Sequence, residues 1–295
     1  MGSIPARKYS FESVKGFFLQ DDPATNQTDF HYEAVNFGLI DRAYDTDTPG
    51  DADLTQWQRF AAYVRHLIET SPADTTYKLI YNGRHGEGYH NVGEAKYGTQ
   101  AWNDYWSKLD GDGELYWFDA HLTAKGTQQA LHNHAFLKRQ FAQEKMPAPQ
   151  KYYSSPLYRC LQTANLTYLH LDVPVDAPFT PTIKEMMREV MGEHTCDKRS
   201  SKAVIHKAVP SWNIETGFTE EDELWRPDHR ETFAEHDART HALLEDIFEH
   251  DSHAVLSFTS HSGAIASLLR VMGHREFGLP TGALIPLLVR ATRTQ

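Results

Sequence analysis

The chain has 295 residues, 40% of them apolar and 12% aromatic, with 29 Lys and Arg against 40 Asp and Glu for a formal charge of −11. That is enough apolar material for a substantial core, so wholesale disorder is excluded. The acidic balance argues against a general nucleic-acid binder, which needs a basic face for phosphates. Cys160 and Cys196 are the only cysteines, which excludes a disulfide framework and a Cys-based zinc site. No window of the sequence approaches the roughly 18 uninterrupted apolar residues of a membrane span. The opening residues, MGSIPARKYSFESVKGFF, lack an apolar core followed by a small-residue cleavage site, and Ala6 stands where a myristoylation pattern wants Ser or Thr. A soluble, cytoplasmic protein is expected.

In chain order, Leu54, Trp57, Phe60, Ala61, Val64, Leu67 and Ile68 recur at helical spacing, and Ser71-Pro72 closes that helix. Tyr77-Lys78-Leu79-Ile80-Tyr81 is β-rich and is stopped by Asn82-Gly83, so it reads as a strand feeding a loop. Residues 87–119 are rich in Gly, Asp, Trp and Tyr without a sustained period and read as a long insertion. Helical spacing returns from Thr123 through Ala130, His134, Leu137 and Phe141 and ends near Pro147. His132 and His134 on that helix point to different faces and read as solvent-side histidines. Residues 151–155 read as the next strand, and 156–169 as a helix with Pro156 in its first turn. Residues 190–230 form a second irregular excursion. A helix over 231–249, a strand over 254–259, a helix with Ile265, Leu268, Leu269 and Met272 on one face, and a strand over 284–289 complete the chain. Strands alternating with helices predict an α/β fold with a mostly parallel central sheet and helices on both faces. With no repeat and no linker, residues 1–295 read as a single domain with cap or lid insertions near 87–119 and 190–230.

In such folds ligands sit outside the carboxyl ends of the strands. Three strand-to-helix junctions lie there: Arg84-His85-Gly86-Glu87, Ser155-Pro156-Leu157-Tyr158-Arg159 and Ser260-His261-Ser262-Gly263. If they are neighbours, two arginines and two imidazoles share one sheet edge and call for an anion. Phosphate matches the guanidinium fork, and backbone N–H groups at the helix starts add donors. Gly83, Gly86 and Gly88 have the wrong spacing for a dinucleotide loop.

These motifs, with Arg188-Glu189 between the second and the third, resemble the histidine phosphatase superfamily in its phosphoglycerate-mutase-like branch. The stretch Asp119-Ala120-His121-Leu122-Thr123-Ala124-Lys125-Gly126 is similar to that family's Leu-Thr-x-x-Gly segment, and Gln162-Thr163-Ala164 follows the second Arg as in the family's helix. The resemblance covers about 80–263 and implies a phosphoglycerate-mutase-like fold and phosphoryl transfer through a phosphohistidine, with no metal or other cofactor. It implies His85 as the nucleophile, Arg84, Arg159 and His261 as holders of the phosphate oxygens, and Asn91 as a further phosphate contact. Glu189 is implied as acid for the leaving oxygen and base for water, with His261 counted among the catalytic groups. Ser262 stands where the acid-phosphatase and phytase branch has Asp, which moves the acid to the middle of the chain; Glu185, Glu193 and Asp197 lie close by as alternatives. Segment 194–199 resembles one in fungal phosphomutase-like members, and it either contacts substrate or braces the lid. Trp102, Trp106 and Trp117 are assigned to the core of the cap, and Glu87 is given no chemistry. The expected reaction is hydrolysis of a small phosphorylated metabolite, with no nucleic-acid or membrane partner. The alternatives are a phosphomutase primed by a bisphosphate and a catalytically silent phosphate-binding scaffold.

Overall fold

Among the described residues seven strands form one sheet: β1 (Tyr9–Ser13), β2 (Thr75–Arg84), β3 (Lys151–Ser154), β4 (Thr182–Ile183), β5 (Asn213–Ile214), β6 (Val255–Ser260) and β7 (Leu284–Arg293), in the spatial order β1-β7-β2-β6-β3-β4-β5. This is a computed structural model, and it describes residues 7–174 and 176–294; the first part of the opening segment, Ala6 included, lies outside the described residues. The pairings β2–β6, β6–β3, β3–β4 and β4–β5 are parallel, while β7 runs antiparallel to both β1 and β2. The mostly parallel α/β sheet is therefore present. The expected last strand is longer than its apolar run and lies inside the sheet rather than at its margin.

Among the described residues the α-helices are α1 (Gln56–Thr70), α2 (Tyr89–Tyr97), α3 (Thr99–Asp104), α4 (Ala124–Arg139), α5 (Tyr158–Tyr168), α6 (Lys202–Ala208), α7 (Phe233–His250) and α8 (Ser262–Val271). Thr55 starts α1 through a capping box in which Gln58 N donates to Thr55 Oγ1 and Thr55 N donates to Gln58 Oε1. Trp57, Phe60 and Val64 of α1 are buried on the sheet, each worth about 1.5–3 kcal/mol by removal from water. Trp57 and Phe37 meet Tyr81 of β2, Phe136 of α4 meets Phe37, and Tyr168 of α5 meets Tyr152 of β3. On the opposite face Phe248 of α7 packs edge-on against Phe11 of β1, with α8 packed beside α7. Both faces are covered, which is why Lys78 through Gly83 form an unbroken buried run in β2.

Several local expectations are corrected. Asn82-Gly83 does not end β2: Gly83 pairs with Thr259 on one side and Leu284 on the other, and two flanking strands hold the pair extended where an isolated Asn-Gly would turn. Neither insertion is irregular throughout, since 87–119 contains α2 and α3 and 190–230 contains α6 and β5. Pro156 lies before α5, whose N-cap is Leu157. His132 is exposed beside Glu33, but His134 is only partly exposed, with Nδ1 3.2 Å from the Thr167 carbonyl oxygen. Among the described residues no helix is long and apolar enough to cross a membrane.

Candidate active site

The parallel register sets the site. Arg84 pairs with Ser260 and Ser154 with Thr259, so β2, β6 and β3 end at one edge and deliver His85, His261 and Ser155 side by side. The ladder continues one residue further, with His85 N donating to Ser260 O and Ser155 N to Thr259 O, both at 3.0 Å. A cavity of about 340 Å³ opens there, lined by Arg84, His85, Asn91, Arg159 and Glu189 together with residues of both insertions.

His85 is 1% exposed, and its Nδ1 lies 2.7 Å from the Gly86 carbonyl oxygen. A carbonyl only accepts, so Nδ1 carries the proton and Nε2 the lone pair. Burial, then the Arg159 and Arg84 guanidiniums, hold this imidazole well below its ordinary 6.5, which keeps it neutral at pH 7. The loop that carries it is fastened on two sides. Gly86 N donates to Thr163 Oγ1 at 3.0 Å, and Thr123 N donates to Glu87 O at 2.9 Å. Thr123 also caps α4, and a Cβ on Gly126 would lie 2.1 Å from Glu87 O, so only glycine lets the helix approach the loop. The Leu-Thr-x-x-Gly and Gln-Thr-Ala segments thus act as fasteners for His85.

Arg159 sits in the first turn of α5, whose N-terminus is covered by buried Asp119, an acceptor from Tyr158 N at 2.8 Å and Ser200 N at 2.9 Å. The guanidinium donates from Nε to His261 Nδ1 at 3.3 Å, from Nη1 to Cys196 O at 2.6 Å and from Nη2 to Asp197 Oδ1 at 2.9 Å. Beyond these bonds its fork keeps further N–H groups for a ligand. His261 accepts at Nδ1, so its Nε2 carries the proton and donates to Ser155 Oγ at 2.8 Å. Its ring lies 5.1 Å from that of His85, yet it is fully buried and stands behind Arg159 rather than on the cavity wall. Direct contact between His261 and a phosphate oxygen requires Nε2–H to leave Ser155.

Arg84 and Arg159 are legible in the sequence, but their counter-charges are not. Asp197 binds Arg159 through one oxygen and Arg230 through the other, the latter at 2.9 Å. Burial pushes its carboxyl up, but Arg230 and Arg159 outweigh burial and hold it below the usual carboxylate range. Segment 194–199 is therefore a brace, and it is also a wall, because His194, Cys196 and Asp197 line the cavity. Arg84, Arg159 and Arg230 on the lining are matched by Glu94, Glu189 and Asp197, so with neutral histidines the formal charges cancel. His194, Cys196 and Asp197 have ligand atoms within 4.8 Å of one another, but the two guanidiniums on Asp197 disfavour a metal cation there.

Glu189 follows β4 and reaches the start of α8. Its Oε2 accepts from Ser262 Oγ at 3.2 Å and Gly263 N at 3.0 Å, and its Oε1 from Val190 N at 2.9 Å. The rival carboxylates are committed to cations: Glu185 to Arg188 and Arg199, Glu193 to Lys108, and Asp197 to its two arginines. Arg188 itself is fully buried against Glu185 and Asp222. Asn91 accepts from Gly88 N at 3.0 Å, capping α2, while the same side chain lines the cavity. Trp102 and Trp117 of the first insertion form a buried cluster with Ala120 and with Cys196 of the second, and Trp106 stacks on Tyr97 at 4.0 Å. Trp102 also reaches the cavity wall, as do His90 and Arg230, which carried no recognisable local pattern.

The neutral histidines give the fold an acid limit. Burial and nearby arginines push His85 and His261 well below 6.5, His194 down to about 4 and His236 down to about 3. Their unfolded forms titrate near 6.5, so as pH falls below that value the unfolded chain takes up protons the folded chain refuses. Stability is complete above pH 7 and is lost from pH 6.5 down towards 3, by at most about 1.4 kcal/mol per pH unit for each group. Urea unfolding midpoints should fall by at least ~2 kcal/mol equivalent between pH 7 and 5; a flat midpoint over that interval contradicts the assignment.

Comparison with known proteins agrees with the geometry. Residues 112–281 match the family profile of the histidine phosphatase superfamily (branch 1), a span that begins after Arg84-His85. A "Probable phosphoglycerate mutase" of Arthroderma benhamiae is 50% identical over 95% of this chain and 84% of its own length. "Phosphomutase-like protein 3" of Candida albicans is 42% identical over 97% of this chain and 81% of its own length. A sheet edge with Arg84, His85 and Arg159 on one cavity and His261 behind Arg159, and relatives along nearly the whole sequence, give one conclusion: the chain belongs to the histidine phosphatase superfamily.

Proposed function

We propose that the protein is a phosphoric monoester hydrolase that works through a phosphohistidine on His85 and needs no metal. The observation that carries this reading is the neutral His85 imidazole, with its Nδ1–H held by Gly86 and its Nε2 lone pair free on the floor of a cavity walled by Arg84, Arg159 and Glu189. In the first step His85 Nε2 attacks phosphorus, the bond from phosphorus to the ester oxygen breaks, and Glu189 gives its proton to the leaving oxygen. In the second step water attacks the phosphohistidine, its proton passes to Glu189, and the P–N bond electrons return to Nε2 as orthophosphate leaves. Arg84 and Arg159 hold the non-bridging oxygens and offset the charge that builds on them. Asn91 adds a neutral donor from the start of α2. His261 orients Arg159 through the Nε–Nδ1 bond.

The balance of charge on the wall favours hydrolysis over a bisphosphate-primed mutase. Three arginines against three carboxylates leave no surplus positive charge on the wall, which suits one phosphate better than the two phosphates a primed mutase holds. The test is direct. With a phosphomonoester alone, orthophosphate should accumulate linearly, unaffected by an added bisphosphate. A requirement for bisphosphate, with phosphate appearing on another hydroxyl, overturns the reading in favour of the mutase; no phosphate release under either condition favours a silent scaffold.

A further inference from the structure

A second cavity, of about 650 Å³, adjoins the first and shares Arg84 and Ser262 with it. Its position follows from the acid. Glu189 accepts from Ser262 Oγ, so an ester oxygen held against Glu189 lies beside Ser262, and the carbon skeleton attached to that oxygen faces the space on the other side of this residue. Ala266 and Leu269 of α8 and Phe277, Leu279 and Pro280 before β7 line that space. Phe233, the first residue of α7, stands at the rim with 74% of its surface in water and the Arg270 guanidinium 4.9 Å from its ring centroid. An aromatic ring at the mouth of a concave, largely apolar wall offers a face that an apolar ligand can cover.

The charged groups around this cavity are already spent. Arg270 is held by Asp237 at 2.6 Å. His274 lies between the Arg275 carbonyl oxygen at 2.7 Å and Asp21 at 3.2 Å. Arg84 donates to the Leu279 carbonyl at 2.7 Å and otherwise serves the phosphate pocket. Glu276 is exposed on the lining and is negative. Among the described residues that line it, no uncommitted cation awaits a second acidic group, and Glu276 repels one. A three-carbon phosphorylated acid would also leave most of this volume empty.

We propose that this cavity is the leaving-group subsite, and that the substrate is a phosphomonoester of an alcohol with a bulky, uncharged skeleton presenting an apolar or aromatic face. Such a group packs its face on Phe233 and the Leu269–Phe277 floor while its phosphate sits on Arg84 and Arg159. The proposal rests on the phosphatase reading above and narrows its substrate class.

The test compares three phosphomonoesters by released orthophosphate: ethyl phosphate, 2-(2-naphthyl)ethyl phosphate, whose leaving alkoxide has similar basicity, and 3-phosphoglycerate. The naphthylethyl ester should exceed both others in kcat/KM by at least thirtyfold. Phe233→Ala, which removes an exposed ring, and Ala266→Leu, which fills the cavity, should each lower the ratio of naphthylethyl to ethyl ester by tenfold or more. Equal kcat/KM for the two alkyl esters, a preference for 3-phosphoglycerate, or a preference that neither substitution alters overturns the inference while leaving the phosphatase reading in place. Absence of phosphate release from every ester, together with absence of a phosphohistidine, overturns the phosphatase reading and this inference with it.

Discussion

Replacing His85 with alanine should lower phosphate release from any phosphomonoester by about ten-thousandfold or more, which is about 5.5 kcal/mol of activation free energy. The loss is this large because the covalent route disappears with the imidazole that the Gly86 carbonyl orients beside Arg84 and Arg159. Cys160 and Cys196 are no substitutes, since burial pushes both thiols up and keeps them protonated. The structural cost is smaller. The Gly86 carbonyl loses its donor, which costs about 1–3 kcal/mol, while the loop keeps its bonds to Thr163 and Thr123. The variant should therefore fold and bind orthovanadate through Arg84 and Arg159 without forming the phosphoramidate, a bond stable to base and labile to acid. Labelled phosphate should appear on the wild-type protein and not on the variant. Turnover within tenfold of wild type in a folded His85→Ala protein would remove His85 from the mechanism.

What the sequence made legible follows from which forces are local. The chemistry-bearing residues sat directly after β-rich runs, so Arg84-His85, Ser155 to Arg159 and Ser260-His261 could be placed on one sheet edge from patterning alone. The parallel register then made them neighbours. Their counter-charges could not be placed that way. Asp197 reaches Arg159 and Arg230 across 38 and 33 residues of chain, and an ion pair of that separation leaves no local periodicity. For the same reason Glu189 could not be separated from Glu185, Glu193 and Asp197 until each rival was seen to be tied to a cation. β1 did carry a signal, since Tyr9, Phe11 and Ser13 alternate with exposed Ser10 and Glu12. Five residues of alternation are too few to read as a strand without β7 beside them. The helices α2 and α3 are short, and they are held by Trp102 packing on Trp117 rather than by an apolar stripe of their own. Asn82-Gly83 misled in the other direction, because turn propensity yields when two strands flank the pair.

Glu189→Gln should separate the two chemical steps. Glutamine keeps the shape, and its carbonyl oxygen can still accept from Ser262 and Gly263, but the amide neither donates a proton to a departing alkoxide nor takes one from water. For an alkyl ester both steps suffer, and kcat/KM should fall by about a hundred- to ten-thousandfold. For 4-nitrophenyl phosphate the leaving phenolate needs no proton, so phosphorylation of His85 should stay within about tenfold of wild type. Dephosphorylation still lacks its base. The variant should then release one equivalent of 4-nitrophenolate per site in a burst and stall as the phosphohistidine. Gly263→Ala offers the same experiment without touching the acid: a Cβ there would lie 1.9 Å from Glu189 Oε1, so the carboxylate must leave the start of α8. It should reproduce the burst with a milder loss on alkyl esters, because the proton is displaced rather than deleted. A Glu189→Gln protein that turns over alkyl and aryl phosphates with equal losses and no burst would show that the proton comes from elsewhere. Glu94, on the opposite insertion and also on the cavity wall, would then be the next carboxyl to replace.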